Sequence, residues 1–231
     1  MKKAIIINQN KGGVGKSFLT ALILEKEKKA KTNFTIMDID SGNRSTFKRF
    51  SENEGYAEYV AEFSLLKGDT IDKGLFNIFF ERLSNSPKEI FYLDLGGNES
   101  REILSLFKTI GVENVDEFFK ANNLEVEFMT VVKNGDRDCL DHLKNVTKII
   151  GKHFKHTCMA NANSFENDNE ESFKELESSC KKSSVGLTVF GKCPTGHIEA
   201  TISEYVRSGF KSSLGMFRGI FVGMVENLNL V

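Results

Sequence analysis

The run Ala4-Ile5-Ile6-Ile7 passes through Asn8-Gln9-Asn10 into Lys11-Gly12-Gly13-Val14-Gly15-Lys16-Ser17, and a largely apolar stretch follows over 18–26. This junction constrains the 231-residue chain more than any other part of it. Three β-branched residues in succession suit a strand buried on both faces, as inside a parallel sheet. Phe18-Leu19-Thr20-Ala21-Leu22-Ile23-Leu24-Glu25-Lys26 reads as a helix, apolar on a wide face and charged toward its end. Strand, tight glycine-rich turn and helix together form the opening unit of an alternating α/β fold.

The turn has a chemistry of its own. Unpaired N–H groups in a first helical turn, with the helix dipole behind them, favour a polyanion. Gly12, Gly13 and Gly15 lack a Cβ, so the backbone can wrap closely around phosphate oxygens. Lys16 adds charge near the β- and γ-phosphates, and the Ser17 hydroxyl suits Mg²⁺. The match to G-x-x-x-x-G-K-[ST] is loose, because Asn10 stands where the first glycine belongs and a second lysine, Lys11, opens the loop. The competing reading is a turn that merely lets a strand meet a helix. Three glycines, Lys-Ser and both flanks favour nucleotide binding.

Lys11-Gly12-Gly13-Val14-Gly15-Lys16-Ser17 resembles the deviant phosphate loop of the ParA/MinD class of ATPases, and Asn8-Gln9 echoes its partition members. The resemblance implies ATP and Mg²⁺ as ligands and an ATP-dependent homodimer. Lys11 would reach across the interface to the partner's nucleotide; the competing reading is a solvated surface lysine. Gly12, Gly13, Val14, Gly15, Lys16, Ser17 and the N–H of Phe18 would hold the phosphates. Phe34-Thr35-Ile36-Met37-Asp38-Ile39-Asp40 is a second strand ending in two carboxylates. The resemblance gives Asp40 the attacking water and Asp38 a supporting role toward the metal or Lys16, against a plain helix-capping reading of the pair. Glu89-Ile90-Phe91-Tyr92-Leu93-Asp94 is a third strand, with Asp94 placed to serve Mg²⁺ through water and Gly96-Gly97 placed as a switch near the γ-phosphate. Farther on, Asn161 resembles the family's adenine contact and Pro194 its later adenine-side loop; Asn161 could equally form a turn with Asn163 and Ser164. Phe18 replaces a second hydroxyl and Ser41-Gly42 replaces Pro-Gln, marking a divergent branch. Loops ending in Gly-Lys-Ser-Phe resemble ParA-like ATPases of conjugal-transfer and mobilisation genes.

Strands are predicted near 4–8, 34–38, 89–94, 125–132, 156–161 and 186–191, and helices near 16–29, 99–109, 136–151, 165–181 and 197–209. The alternation predicts an α/β fold with a mostly parallel sheet covered by helices on both faces, ligands at the carboxyl ends of its strands. Between Asp40 and Asp94 lie a strand or helix near 56–66 and an aromatic-rich helix near 71–83. With 40% apolar residues, two prolines and no linker, a single domain over residues 1–231 is expected. The strand beginning at residue 4 leaves no room for a signal peptide, and no apolar run spans a bilayer, so a cytoplasmic location is expected.

Cys139, Cys158, Cys180 and Cys193 lack metal-ligand spacing and read as reduced, partly buried thiols, which argues against the iron–sulfur branches. The four histidines read as surface residues. A net charge of −1 does not advertise a nucleic-acid binder, although a local patch would suffice for nonspecific DNA. Lys26, Lys28, Lys29 and Lys31 are the densest basic cluster, best explained by a helix C-terminus. Near the end, Met216, Phe217, Ile220, Phe221, Met224, Val225 and Leu228 form one apolar stripe, read as a core helix rather than a membrane anchor, with dimer contact a second possibility. Gly215, Gly219 and Gly223 are expected to allow its close packing.

Together these features predict a slow, Mg²⁺-dependent ATPase working as a dimer switch in DNA partition or conjugative transfer, with an activating protein partner. The alternative is a nucleotide-dependent scaffold that recruits a protein partner or the membrane without a DNA role. A carboxylate-activating synthetase would need a second substrate motif, which the sequence does not display.

Overall fold

The computed structural model describes residues 1–68, 70–164, 170–194 and 196–230. Its strands are β1 (Lys2–Asn8), β2 (Phe34–Ile39), β3 (Val60–Glu62), the short pair β4 (Leu66–Lys67) and β5 (Thr70–Ile71), β6 (Ile90–Leu95), β7 (Leu124–Val132), β8 (Lys155–Asn161) and β9 (Gly186–Phe190). Its helices are α1 (Lys16–Ala30), α2 (Ser45–Phe50), α3 (Lys73–Asn85), α4 (Gly97–Ile110), α5 (Val112–Ala121), α6 (Arg137–Ile150), α7 (Glu170–Lys182), α8 (His197–Arg207) and α9 (Arg218–Glu226). Seven strands make one parallel sheet in the order β3-β2-β6-β1-β7-β8-β9, and β4-β5 form a separate antiparallel ribbon. The expected parallel sheet with helices on both faces is what the chain builds.

Alternation along β1 divides the core. Ile5 and Ile7 belong to one apolar cluster with α1, α8 and α9, while Ala4 and Ile6 belong to another with α3, α4 and α5. The second cluster is dense in aromatic rings, among them Phe76, Phe80, Phe107, Phe119, Phe128 and Phe154. Edge-on and tilted ring contacts of this kind add to the area that burial removes from water.

Register decides where chemistry gathers. Pairing aligns Asp38 with Asp94 across β2 and β6, Ile7 with Asp94 across β6 and β1, and Asn8 with Thr130 across β1 and β7. The two carboxylates and the start of the glycine loop therefore share one level at the carboxyl edge. The chain leaves β1 toward β2 on one side and later returns to place β7 on the other, so this edge is also where the winding reverses.

Several expectations need correction. Residues 112–121 form α5, a helix not anticipated, whose Val115 and Phe119 are buried. Gly111, at φ 89°, breaks it from α4. Residues 165–169 of the expected helix near 165–181 lie outside the described residues. His142 and His156 are not surface residues but 4% and 6% exposed, joined through Asn8 and Thr130 in a buried polar chain. All four cysteines are buried as thiols.

The last helix closes the first cluster. Phe221, Met224, Val225 and Leu228 are buried there, and Lys26 and Lys29 of α1 bind the end of α9 through the Val225 and Glu226 carbonyls and the Glu226 carboxylate. Two cations at the carboxyl end of a helix are favourable, so the basic cluster serves α9 rather than α1 alone. The glycine row does not do what was expected of it. A Cβ on Gly215, Gly219 or Gly223 would meet nothing within 4 Å, so these glycines face away from the packing surface. Among the described residues, no helix is long and apolar enough to cross a membrane.

Truncating the buried face of α9 should show its role. Phe221→Ala and Met224→Ala are expected to lose about 2–5 kcal/mol each in urea unfolding. Met216→Ala, at a position 89% exposed, should change stability by less than about 0.5 kcal/mol. Equal, negligible effects at all three positions would contradict a core role for α9.

Candidate nucleotide site

The loop between β1 and α1 is held open from below and from the side. Gln9 donates to the Val131 carbonyl at 2.7 Å, and its side-chain oxygen accepts the Asn10 N–H at 2.8 Å. Asn161, at the end of β8, donates to the Val14 carbonyl at 3.1 Å. Gly15 precedes α1 at φ 105°, and a Cβ there would stand 2.6 Å from the Asn161 amide nitrogen. Only glycine suits both the conformation and the clearance. No side chain caps α1, so its first N–H groups and Lys16 face a cavity of about 470 Å³. That cavity is bordered by the loop, Phe18, Arg49, Asn163 and Cys193, and by Glu199, Ile202, Val206 and Arg207 of α8 or its end. Its size and its apolar wall opposite a cationic floor suit a nucleotide.

Beneath the loop, Asp94 is 6% exposed and accepts hydrogen bonds from Thr20 at 3.2 Å and Thr46 at 2.7 Å, both on Oδ2. Burial pushes its pKa up, while the Lys16 charge and the two hydroxyls pull it down. Asp38 is 2% exposed, and burial pushes its pKa up to about 6 although the Phe47 and Asp40 N–H groups bond to it. Both oxygens of Asp38 are thus engaged by backbone. The Ser17 hydroxyl lies 3.4 Å from that of Ser45. For a divalent cation, Ser17 and Asp94 offer a hydroxyl and a carboxylate, the hard oxygen set that Mg²⁺ prefers. Among the described residues no cluster of three His, Cys, Asp or Glu would hold a metal unaided, so phosphate oxygens and water would complete the shell.

Asp40 Oδ1 accepts the Gly42 and Asn43 N–H groups, each at 3.0 Å, which shapes the turn after β2. A Cβ on Gly96 would stand 2.9 Å from that same oxygen, and one on Gly97 would stand 2.8 Å from the Asn10 carbonyl. These two glycines let the segment after β6 lie between Asp40 and the start of the loop. Glu99 secures the arrangement: it is 2% exposed and accepts from the N–H of Ser41 at 2.9 Å and from its hydroxyl.

Lys11 turns toward α6. Its ammonium is 2.7 Å from Asp136 and 3.3 Å from Asp138, and the bond to Asp136 raises its pKa. Asp136 also caps α6 through the Cys139 N–H. Pro194 is exposed and does not border the cavity; its neighbour Cys193 does, with its N–H held by Asn163 at 3.0 Å. Lys16 and Ser17 border the cavity, Asp94 lies beneath within reach of the Lys16 charge, and Asp40, Gly96 and Gly97 cluster beside the start of the loop, whereas Asn161 supports the loop as well as bordering the cavity. Sequence reading missed Thr20, Thr46 and Glu99. Each carried a signal: Thr20 one helical turn beyond Lys16, Thr46 in a Ser-Thr pair after the Asp40 turn, and Glu99 three residues beyond Gly96, where an acidic side chain favours a helix start.

No family model and no curated protein matches this chain in sequence. Solved structures match it in shape. The MinC:MinD cell division protein complex of Aquifex aeolicus aligns over 90% of this chain and 86% of its own, with a TM-score of 0.53 and 17% identity. The MinD cell division protein of the same organism aligns over the same shares, with a TM-score of 0.50 and 15% identity. This is the MinD fold. A nucleotide-binding protein of Archaeoglobus fulgidus, solved in complex with ADP, aligns over 93% of this chain and 90% of its own, with a TM-score of 0.50 and 13% identity. The loop's resemblance to the ParA/MinD class and the fold thus agree.

Asp38 gives the site a pH signature. Its pKa rises from 3.8 to about 6 on folding, so the folded state keeps the proton longer. The stability this contributes is complete below pH 4 and is lost as pH rises through 6. Asp38→Asn removes the titration but keeps only one acceptor oxygen for the two N–H groups, so below about pH 4 it should differ from the nucleotide-free wild type by a constant amount, the cost of the lost bond. Above about pH 6 that difference should shift in the variant's favour by about 3 kcal/mol, from two units at 1.36 kcal/mol each. Urea midpoints across that range test this, and a gap independent of pH would refute the buried-charge account.

Proposed function

We propose that this chain is a single-domain, Mg²⁺-dependent ATPase whose ATP-bound state is a face-to-face homodimer, serving DNA partition or conjugative transfer. The observation that carries the reading is the convergence of Lys16, Ser17 and Asp94 beneath an uncapped helix start, with a second lysine on the same loop. The loop amides from Gly12 to Phe18 and Lys16 bind the phosphates. Mg²⁺, when bound, would be held through Ser17 and Asp94 and would neutralise charge on the phosphates. Asp40 turns from its backbone contacts to orient the attacking water. Loss of the γ-phosphate is read by the Gly96-Gly97 segment, which packs against both Asp40 and the loop.

Lys11 supplies the dimer step. In one copy its ammonium rests on Asp136 and Asp138. In the dimer it swings to the other copy's γ-phosphate and stabilises the charge that develops there, as an arginine finger does. Hydrolysis by one copy alone is therefore slow, and an activating protein raises it. The MinC:MinD complex supports a protein partner for a chain of this fold. The scaffold reading keeps the nucleotide and the partner but dispenses with hydrolysis; its membrane version is weakened by the buried face of α9.

Light scattering with ATP and Mg²⁺ should show a dimer for the wild type and a monomer for Lys11→Ala, with ATP affinity in the monomer changed by less than about threefold. Fast turnover by a monomer, or dimerisation of Lys11→Ala equal to wild type, would sink the dimer switch. Asp40→Asn should lower kcat by about 100-fold or more while dimerisation persists. Unchanged biological activity of that variant would instead favour the scaffold. Retardation of duplex DNA by the ATP-bound protein, weakening steeply with salt, tests the DNA role.

A further inference from the structure

We infer that Arg49 is a phosphate-binding residue of the nucleotide cavity, contacting the inner phosphates that ATP and ADP share. This rests on the nucleotide-binding reading and adds a residue that the loop pattern does not contain.

Arg49 lies on α2 and borders the same cavity as Lys16, Ser17 and Phe18, half-buried. Its guanidinium has no hydrogen-bond or carboxylate partner among the described residues. A half-buried, unpaired guanidinium is costly unless a ligand completes it. Burial depresses its pKa and the charge of Arg207 adds to that; Asp94 and Asp38 act against both. Glu199 is the one carboxylate bordering the cavity among the described residues, facing Lys16, Arg49 and Arg207. The excess of positive charge calls for an anion.

The arginine is also held in place. Three residues before it, Thr46 bonds Asp94, and the Phe47 N–H bonds Asp38. Spacing of three puts Thr46 and Arg49 on one side of α2. One residue after it, Phe50 is fully buried against Tyr56 and Phe210. The Arg49 carbonyl presses on Gly209, where a Cβ would collide with it, and Arg49 Cγ packs there at 3.3 Å from the same point. Both ends of α2 are thus anchored, and the planar fork of the guanidinium is presented to the cavity ready to bind two oxygens.

Position selects the phosphates. Ser17 and Asp94 mark the metal end of the site. Ile202 and Val206 give the same cavity an apolar wall, against which a base would lie. Phe18 follows Ser17 on α1 and offers no hydroxyl to the phosphates that join the metal-bound oxygens to the base. Arg49 fills that gap from the neighbouring helix.

Titration calorimetry with ATP and with ADP, each with Mg²⁺, tests the assignment on wild type, Arg49→Ala, Arg49→Gln and Lys16→Ala. Arg49→Ala is expected to weaken ATP and ADP by the same factor, about 10- to 100-fold. Arg49→Gln, which keeps the stem against Gly209, should lose nearly as much, and it is the variant to read if Arg49→Ala does not fold. Unchanged affinity in Arg49→Gln beside a nucleotide-binding wild type overturns the inference alone. Loss of ATP affinity with ADP untouched places the contact on the γ-phosphate and overturns the inner-phosphate assignment. A wild type that binds neither nucleotide overturns the parent reading, whatever Arg49 does.

Discussion

A single oxygen, Oδ2 of Asp94, holds the site together. It accepts from Thr20, on the helix that carries the glycine loop, and from Thr46, on the helix that follows the Asp40 turn. Two connections distant in sequence are thereby fixed to one strand end. A carboxylate buried to this depth is stable only with donors and a nearby positive charge, which Thr20, Thr46 and Lys16 provide. Removing either hydroxyl would strand part of that charge. Anything that draws on Asp94, such as a cation, must then be felt along both helices.

Much of this was legible from residues alone because parallel strands announce themselves. Ala4-Ile5-Ile6-Ile7 in β1 and Ile90-Phe91-Tyr92-Leu93 in β6 read as unbroken apolar runs, each followed toward the carboxyl edge by a polar residue, Asn8 and Asp94. The loop's glycines and lysines were likewise visible as local spacing. What stayed hidden depended on register and on tertiary approach. That Asp38 spends both oxygens on backbone follows from where α2 comes to rest, and no local pattern encodes it. His142 and His156 looked like surface residues because polarity normally keeps an imidazole in water; here Asn8, Thr130 and Thr147 satisfy them inside. The glycines near α9 misled for the opposite reason: their periodicity was real, but it marked the solvent side of the helix.

The buried histidine chain has a bearing on the loop. Asn8 accepts from His142 at 2.9 Å and from Thr130 at 3.1 Å, and Thr130 lies 2.8 Å from His156. Burial pulls both imidazoles down to about 4, so near neutrality they are uncharged and the chain is purely a hydrogen-bond network. Its place directly below Gln9 and Asn10 gives the loop a rigid polar footing rather than an apolar one. Rigidity there fits a turn that must present several N–H groups in fixed directions.

The contact of Lys11 with Asp136 and Asp138 has a kinetic side. The lysine side chain is 42% exposed and those of Asp136 and Asp138 are 14% and 75% exposed, so water competes for the ammonium and for Asp138. Exposed side chains change rotamer in picoseconds to nanoseconds, far faster than two proteins diffuse together. A second copy arriving at this face would meet a lysine that samples its outward positions throughout the encounter. Docking would then wait on collision and orientation, with no slow step reserved for freeing the ammonium.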